Sequence, residues 1–228
     1  MTDASRFGDA HPADVPRFKT VVFDVDSTLS SIEGIDWLAE LRGPEVARDC
    51  AALTERAMNG EIPIEAVYTE RLKRIRPTAA ELLSLADAYQ QSLLPGARAC
   101  VQRLISARVH VHLVSGGLRA AIIPLALQLG VMANRVHAVS LARDADGTFS
   151  VLDGDQPLAT QQGKPLVLRD LALRKPVALV GDGSTDASAR GVADRFFAFT
   201  AIARREAVVA VADAEATSFD ALQALLFE

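Results

Sequence analysis

Aromatic residues are scarce, 5% of the 228 in the chain, which argues against a surface built to stack nucleobases. An excess of positive charge is also missing. Lysine and arginine number 24 against 29 aspartates and glutamates, a formal net charge of -5, so nothing draws the whole chain toward nucleic acid or an anionic membrane. No apolar run reaches the ~18 residues a membrane-spanning helix needs. The most apolar stretch, residues 121–131, is interrupted by Pro124 and Gln128. The first residues carry acids and no apolar leader segment, so a cytoplasmic location is expected. Cys50 and Cys100 are the only cysteines. They are too few and too far apart for a metal knuckle or a disulfide scaffold, and two reduced, buried thiols are expected. A Walker A loop and a Gly-x-Gly-x-x-Gly turn are both absent, which excludes nucleotide kinase and dinucleotide dehydrogenase readings.

What remains is an ordinary globular balance, 50% apolar and 23% charged, long enough to bury a core without staples. Residues 1–17 hold Pro12 and Pro16 without periodicity and read as a loose tail. Short β-branched or apolar runs at residues 18–23, 109–115, 135–141, 176–180, 195–199 and 207–211 read as strands. Helical patterns lie between them, including residues 166–173 behind Pro165, and a closing helix follows the last run. Asp146-Gly147, inside residues 141–151, signals a hairpin. Strands alternating with helices predict an α/β fold, a Rossmann-like parallel sheet flanked by helices. The link between the first two strands is too long for a crossover and is full of helical pattern. The expected division is therefore residues 18–29 plus 93–228 as the α/β core, with residues 30–92 inserted as a helical cap.

In an open parallel sheet, ligands bind beyond the carboxyl ends of the strands. The first strand ends in Asp24 and Asp26, the second in Ser115-Gly116-Gly117, and a later one in Asp182, with Asp186 four residues on. Four carboxylates along one edge require either protonation or a cation, and an all-oxygen set selects a hard one such as Mg2+. Ser-Gly-Gly at a helix start forms a phosphate cradle, and Lys164 stands just before a helix. Taken singly, each aspartate also reads as a turn former or helix cap. The ordered set is what carries weight.

Asp24-Val25-Asp26-Ser27-Thr28, Ser115-Gly116-Gly117, Lys164 and Gly181-Asp182-Gly183-Ser184-Thr185-Asp186 resemble the four ordered motifs of the haloacid dehalogenase superfamily. Residues 23–39, 58–77 and the hairpin resemble the phosphoserine phosphatases within it, over roughly residues 18–228. The resemblance implies Mg-dependent hydrolysis of O-phospho-L-serine, the last step of serine biosynthesis, through an aspartyl-phosphate on Asp24. Asp26 would be general acid and then general base. Asp24, Asp182 and the Asp26 carbonyl would hold Mg2+, assisted by Asp186. Ser115, Gly116 and Lys164 would hold the phosphate, and Thr185 would orient it. Glu33 would take the substrate ammonium, and Met58 would line the cap side of the pocket.

Arg71 also stands out from the pattern itself. Ile64, Val67, Tyr68, Leu72 and Ile75 form one apolar stripe at helical spacing, and Arg71 lies within it. A guanidinium there needs a partner. The stripe leaves open a structural salt bridge or a clamp on a ligand carboxylate, and the resemblance implies the clamp. The family commonly carries glycines where this chain has Phe199-Thr200-Ala201. His110 and His112 alternate on one strand and read as structural. A phosphotransferase to an alcohol such as homoserine, or a phosphatase for another small phosphomonoester, stands as the alternative. The expected partner is a small-molecule substrate, with no nucleic acid and no membrane. Oligomeric state stays open, with a homodimer among the options.

Overall fold

The computed structural model describes residues 15–58, 61–62 and 64–228. Of the expected tail, residues 1–14 lie outside this description. Its last residues pair with the end of the chain: the Arg17 N–H donates to the Leu226 carbonyl at 2.9 Å and the Glu228 N–H to the Val15 carbonyl at 3.0 Å.

A six-stranded parallel sheet forms the centre. Its strands are β1 (Thr20–Phe23), β2 (His110–Leu118), β3 (Val136–Val139), β6 (Val177–Gly181), β7 (Arg195–Phe199) and β8 (Ala214–Ala216), in the spatial order β3-β2-β1-β6-β7-β8. Both faces are covered, so the strands are near-continuous apolar runs. Val21, Phe23, Leu113 and Val180 point into one layer of core. Val22, Val114 and Leu179 point into the other. The expected hairpin is present as β4 (Leu141–Ala142) paired antiparallel with β5 (Val151–Leu152), and Gly147 takes the left-handed conformation its turn requires, at φ 88°.

Four helices fill the chain between β1 and β2 before α5 (Ala97–Ser106): α1 (Gly34–Leu41), α2 (Pro44–Met58), α3 (Ile64–Ile75) and α4 (Ala79–Gln91). The chain leaves and returns at one point, where Ser30 bridges Leu93 and the Leu94 N–H donates to the Leu29 carbonyl at 2.9 Å. The start of α4 is fixed by a capping box between Thr78 and Glu81, which satisfies two otherwise orphaned N–H groups. On one face, with α5, pack α6 (Arg119–Leu129) and α10 (Phe219–Leu226), and on the other α7 (Gly163–Asp170), α8 (Ser184–Ser188) and α9 (Glu206–Val209).

Three expectations need correction. Residues 207–211 are not a strand. Their β-branched run lies in α9 and the turn after it, with Val208 buried against the second core layer, and the edge strand is β8. Here tertiary packing overrides local β propensity. Ser115-Gly116-Gly117 does not begin a helix. The extended backbone of β2 continues to Leu118 with a break in register after Val114, and α6 opens at Arg119. Lys164 lies inside the first turn of α7 rather than ahead of it. Pro165 also sits in that turn, where an N–H has no helical partner to lose.

Candidate active site

The strand order reverses at β1, with β2 to one side and β6 to the other. A crevice opens beyond the carboxyl ends of strands at such a point, and both β1 and β6 run directly into aspartates. A cavity of about 560 Å³ lies there, lined among others by Asp24, Asp26, Glu33, Arg71, Gly116, Lys164, Asp182, Thr185 and Arg205. It therefore gathers most of the sequence-predicted residues, although they are spread over more than 160 positions of the chain. Ser115 is fully buried just behind the wall. Met58 ends α2, and its side chain lies outside the described residues.

At the floor, Lys164 Nζ lies 2.9 Å from Asp24 Oδ2 and 2.6 Å from Asp186 Oδ1. Burial alone would push this lysine down. The Asp186 and Asp24 carboxylates outweigh that and hold it above its ordinary value. The other Asp24 oxygen accepts the Val25 N–H at 2.8 Å. Asp182 takes the Thr28 hydroxyl at 3.3 Å and pairs with Arg205, whose Nη1 also reaches the Asp182 carbonyl at 3.2 Å. Asp186 is completely buried and also accepts the Gly183 N–H at 3.1 Å. Burial raises the Asp182 carboxyl and pushes Asp186 up to about 7.

Asp24, Asp182 and Asp186 each bring a carboxylate oxygen within 4.8 Å of the other two. Crowded buried carboxylates with all-oxygen donor atoms fit a hard divalent cation. Asp26 adds no carboxylate to this group, because its side chain is engaged elsewhere. Oδ1 accepts from the Tyr89 hydroxyl at 2.6 Å and the Gly34 N–H at 2.7 Å, and Oδ2 accepts from the Ser115 hydroxyl at 3.1 Å. Burial, reinforced by Asp24, pushes the Asp26 carboxyl up to about 6.

Further along the cavity, Ser27 turns through a left-handed φ of 52° and donates to Glu33 Oε1 at 2.6 Å. Burial and the nearby Asp26 push Glu33 up to about 7. On α3, Val67, Leu72 and Ile75 are buried as the stripe predicts, while Tyr68 is partly buried and the Ile64 side chain lies outside the described residues. Arg71 has the ion pair that the structural alternative required, from Nη2 to Asp36. That pair uses one end of the guanidinium. Nε is buried with no hydrogen-bond partner among the described residues.

Sequence reasoning passed over three contributors. Tyr68 read as one member of an apolar stripe, yet its hydroxyl donates to the Gly116 carbonyl at 2.8 Å. Thr28 closes the first motif but was given no role of its own, and Tyr89 carried no motif signal, since each depends on a partner brought in by folding.

Fold and site together define a hydrolase of the haloacid dehalogenase type, and residues 21–189 match the family of haloacid dehalogenase-like hydrolases. A phosphoserine phosphohydrolase-like protein from Francisella tularensis superposes with a TM-score of 0.77 at 26% identity, covering 91% of this chain and 99% of that one. A substrate-bound phosphoserine phosphatase shares the fold at a TM-score of 0.74 and 23% identity, covering 91% and 96%. The human phosphoserine phosphatase is 38% identical over 182 residues, 78% of this chain and 80% of its own. The chloroplastic phosphoserine phosphatase of Arabidopsis thaliana is 35% identical over 209 residues, 90% and 70%. The chain belongs to the haloacid dehalogenase-like hydrolases and, within them, to the phosphoserine phosphatase family.

Proposed function

We propose that this enzyme hydrolyses O-phospho-L-serine to L-serine and phosphate, with Asp24 as nucleophile. The observation that carries the substrate is Arg71. A partly buried arginine whose Nε has no partner among the described residues lines the same cavity as Glu33, Asp24 and Lys164. A phosphoserine carboxylate would complete the guanidinium, and its ammonium would meet Glu33. The phosphate would then fall toward Lys164, Gly116 and Thr185, with Ser115 behind. Residues 30–92 would act as the cap that brings Arg71 and Glu33 over the α/β core and excludes water.

Asp24, Asp182 and the Asp26 carbonyl would hold Mg2+, with Asp186 in support. When bound, the ion supplies positive charge that neutralises phosphoryl oxygens. The protein's own residues do the rest. Lys164 holds Asp24 Oδ2 at 2.9 Å and lends its charge to the phosphate. Asp24 attacks phosphorus in line, and the bond to the serine oxygen breaks as Asp26 gives that oxygen its proton. The Asp26 carboxylate then takes a proton from water as the water oxygen attacks the aspartyl-phosphate, releasing phosphate and restoring Asp24.

The test is phosphate release from L-phosphoserine, phosphothreonine and phosphoethanolamine, in Mg2+ and in EDTA, with homoserine added as a competing acceptor. Fast Mg2+-dependent release from phosphoserine, weak on phosphoethanolamine, is expected. Turnover of an aryl phosphate without turnover of phosphoserine would overturn the substrate. Formation of phosphohomoserine at the expense of free phosphate would replace hydrolysis with transfer.

A further inference from the structure

The chain has two tyrosines. Both lie on helices between β1 and β2, and both hydroxyls end at the site. Tyr89 is the more instructive. The inward face of α4 is otherwise aliphatic, Leu82, Leu85 and Ala86, and Tyr89 itself is fully buried. Packing alone asks only for a hydrocarbon there. A buried phenol needs a hydrogen-bond partner, and Asp26 Oδ1 supplies it at 2.6 Å.

Two glycines leave room for this contact. A Cβ at Gly34 would overlap the Tyr89 hydroxyl. A Cβ at Gly117 would lie 3.1 Å from that hydroxyl and 2.7 Å from Asp26 Oδ2. Gly34 also contributes its N–H to Oδ1 at 2.7 Å. The phenol, the carboxyl and the two glycines form one fitted unit joining α4, α1, β2 and the turn after β1.

We propose that Tyr89 is a positioning residue that aims the Asp26 carboxyl and decides which of its oxygens works as the acid. This rests on the acid–base role proposed for Asp26. Oδ1 accepts two donors, Tyr89 Oη and Gly34 N, so both its lone pairs are used. The acid proton therefore belongs on Oδ2, the oxygen 3.1 Å from Ser115 Oγ. In the first step the proton on Oδ2 passes to the serine oxygen as the phosphorus–oxygen bond breaks, and Asp26 is left as a carboxylate. In the second step Oδ2 takes a proton from water as the water oxygen bonds to phosphorus and the Asp24–phosphorus bond breaks. Throughout, the Tyr89 O–H stays on Oδ1 and prevents the carboxyl from turning.

The experiment compares kcat/KM of Tyr89→Phe on phosphoserine and on p-nitrophenyl phosphate, whose leaving group departs without needing a proton. General acid catalysis contributes about 100- to 10,000-fold, and misaiming the acid should forfeit part of that. The expected loss is about tenfold or more on phosphoserine and under about twofold on the aryl ester, with KM for phosphoserine little changed. Parallel losses on both substrates, or no loss on phosphoserine, would overturn the role. If Tyr89→Phe does not fold, Gly34→Ala displaces the hydroxyl without removing it and is read in the same way. Asp26→Asn separates the two levels. If it shows no leaving-group dependence, the acid assignment falls and Tyr89's role with it. If it does and Tyr89→Phe does not, Tyr89's role alone falls.

Discussion

Replacing Arg71 by alanine tests the substrate reading most directly, and the structure sets the size of the effect. Hydrogen bonds to charged groups contribute about 1.5–3 kcal/mol. Losing the clamp on a substrate carboxylate should therefore raise KM for phosphoserine by about 10- to 150-fold. Stability should not fall. The Asp36 side of the ion pair is half exposed, so losing that pair costs about 0.2–1 kcal/mol. Against this, truncation removes a buried Nε that has no partner among the described residues, a group that itself costs about 1–3 kcal/mol. The second figure is the larger, so the variant should melt no lower than the parent, with a net gain of about 1 kcal/mol, or a Tm rise of about 2–4 °C for a chain of this size. Phosphoethanolamine keeps the ammonium and lacks the carboxylate, so its kcat/KM should change by less than about threefold. Arg71→Lys should recover only part of the loss, because an ammonium restores the charge without the planar fork. The assay is initial-rate phosphate release on both substrates, with a thermal melt of each variant. Equal losses on the two substrates would refute the reasoning and leave Arg71 as the structural partner of Asp36.

Asp24→Asn should lower kcat by about a thousandfold or more while the melting profile stays cooperative; retained turnover in a rate assay would remove the nucleophile. Saturating Mg2+ should raise Tm over EDTA, since an ion held by crowded buried carboxylates binds only the folded state; at 100 times Kd the gain is about 2.7 kcal/mol, and an unchanged melt would remove the metal from this cluster. Acid should weaken the fold through His112 and His137, whose rings stack with nitrogens 3.2 Å apart. Burial, then the neighbouring His137, pushes His112 down to about 4. The unfolded chain binds its proton near pH 6.5 and the folded chain does not until about 4, so stability is lost as pH falls through that window, by at most about 1.4 kcal/mol per pH unit for this group. Urea unfolding at stepped pH should show a flatter decline for His112→Leu, and an identical decline would sink the argument.

Most of the fold was legible in the sequence, and so was the sheet edge on which the carboxylates of the candidate site gather. Strands buried on both faces are written as dense apolar runs, and the acids sit just where those runs stop, so Asp24 and Asp182 could be placed by position, whereas Lys164 drew its weight from the ordered set of motifs. The stripe on α3 was equally legible, because three- and four-residue spacing is a local property. What failed was either ambiguous locally or made by contact. The run at residues 207–211 is β-branched enough to pass for a strand, and only its packing against the second core layer makes it helix and turn. Gly116 and Gly117 looked like a turn into a helix. In the fold they keep β2 extended past the site, and Gly117 leaves the space in which Asp26 and Tyr89 meet. Arg71 shows both sides of the limit. Its spacing announced a buried charge in need of a partner, but spacing could not say which partner. The fold supplies Asp36 for one nitrogen and leaves Nε buried without a partner among the described residues. An unpaired buried Nε brings no benefit to an arginine that serves a salt bridge alone, and a ligand carboxylate reaching Arg71 is what the alanine and lysine variants test.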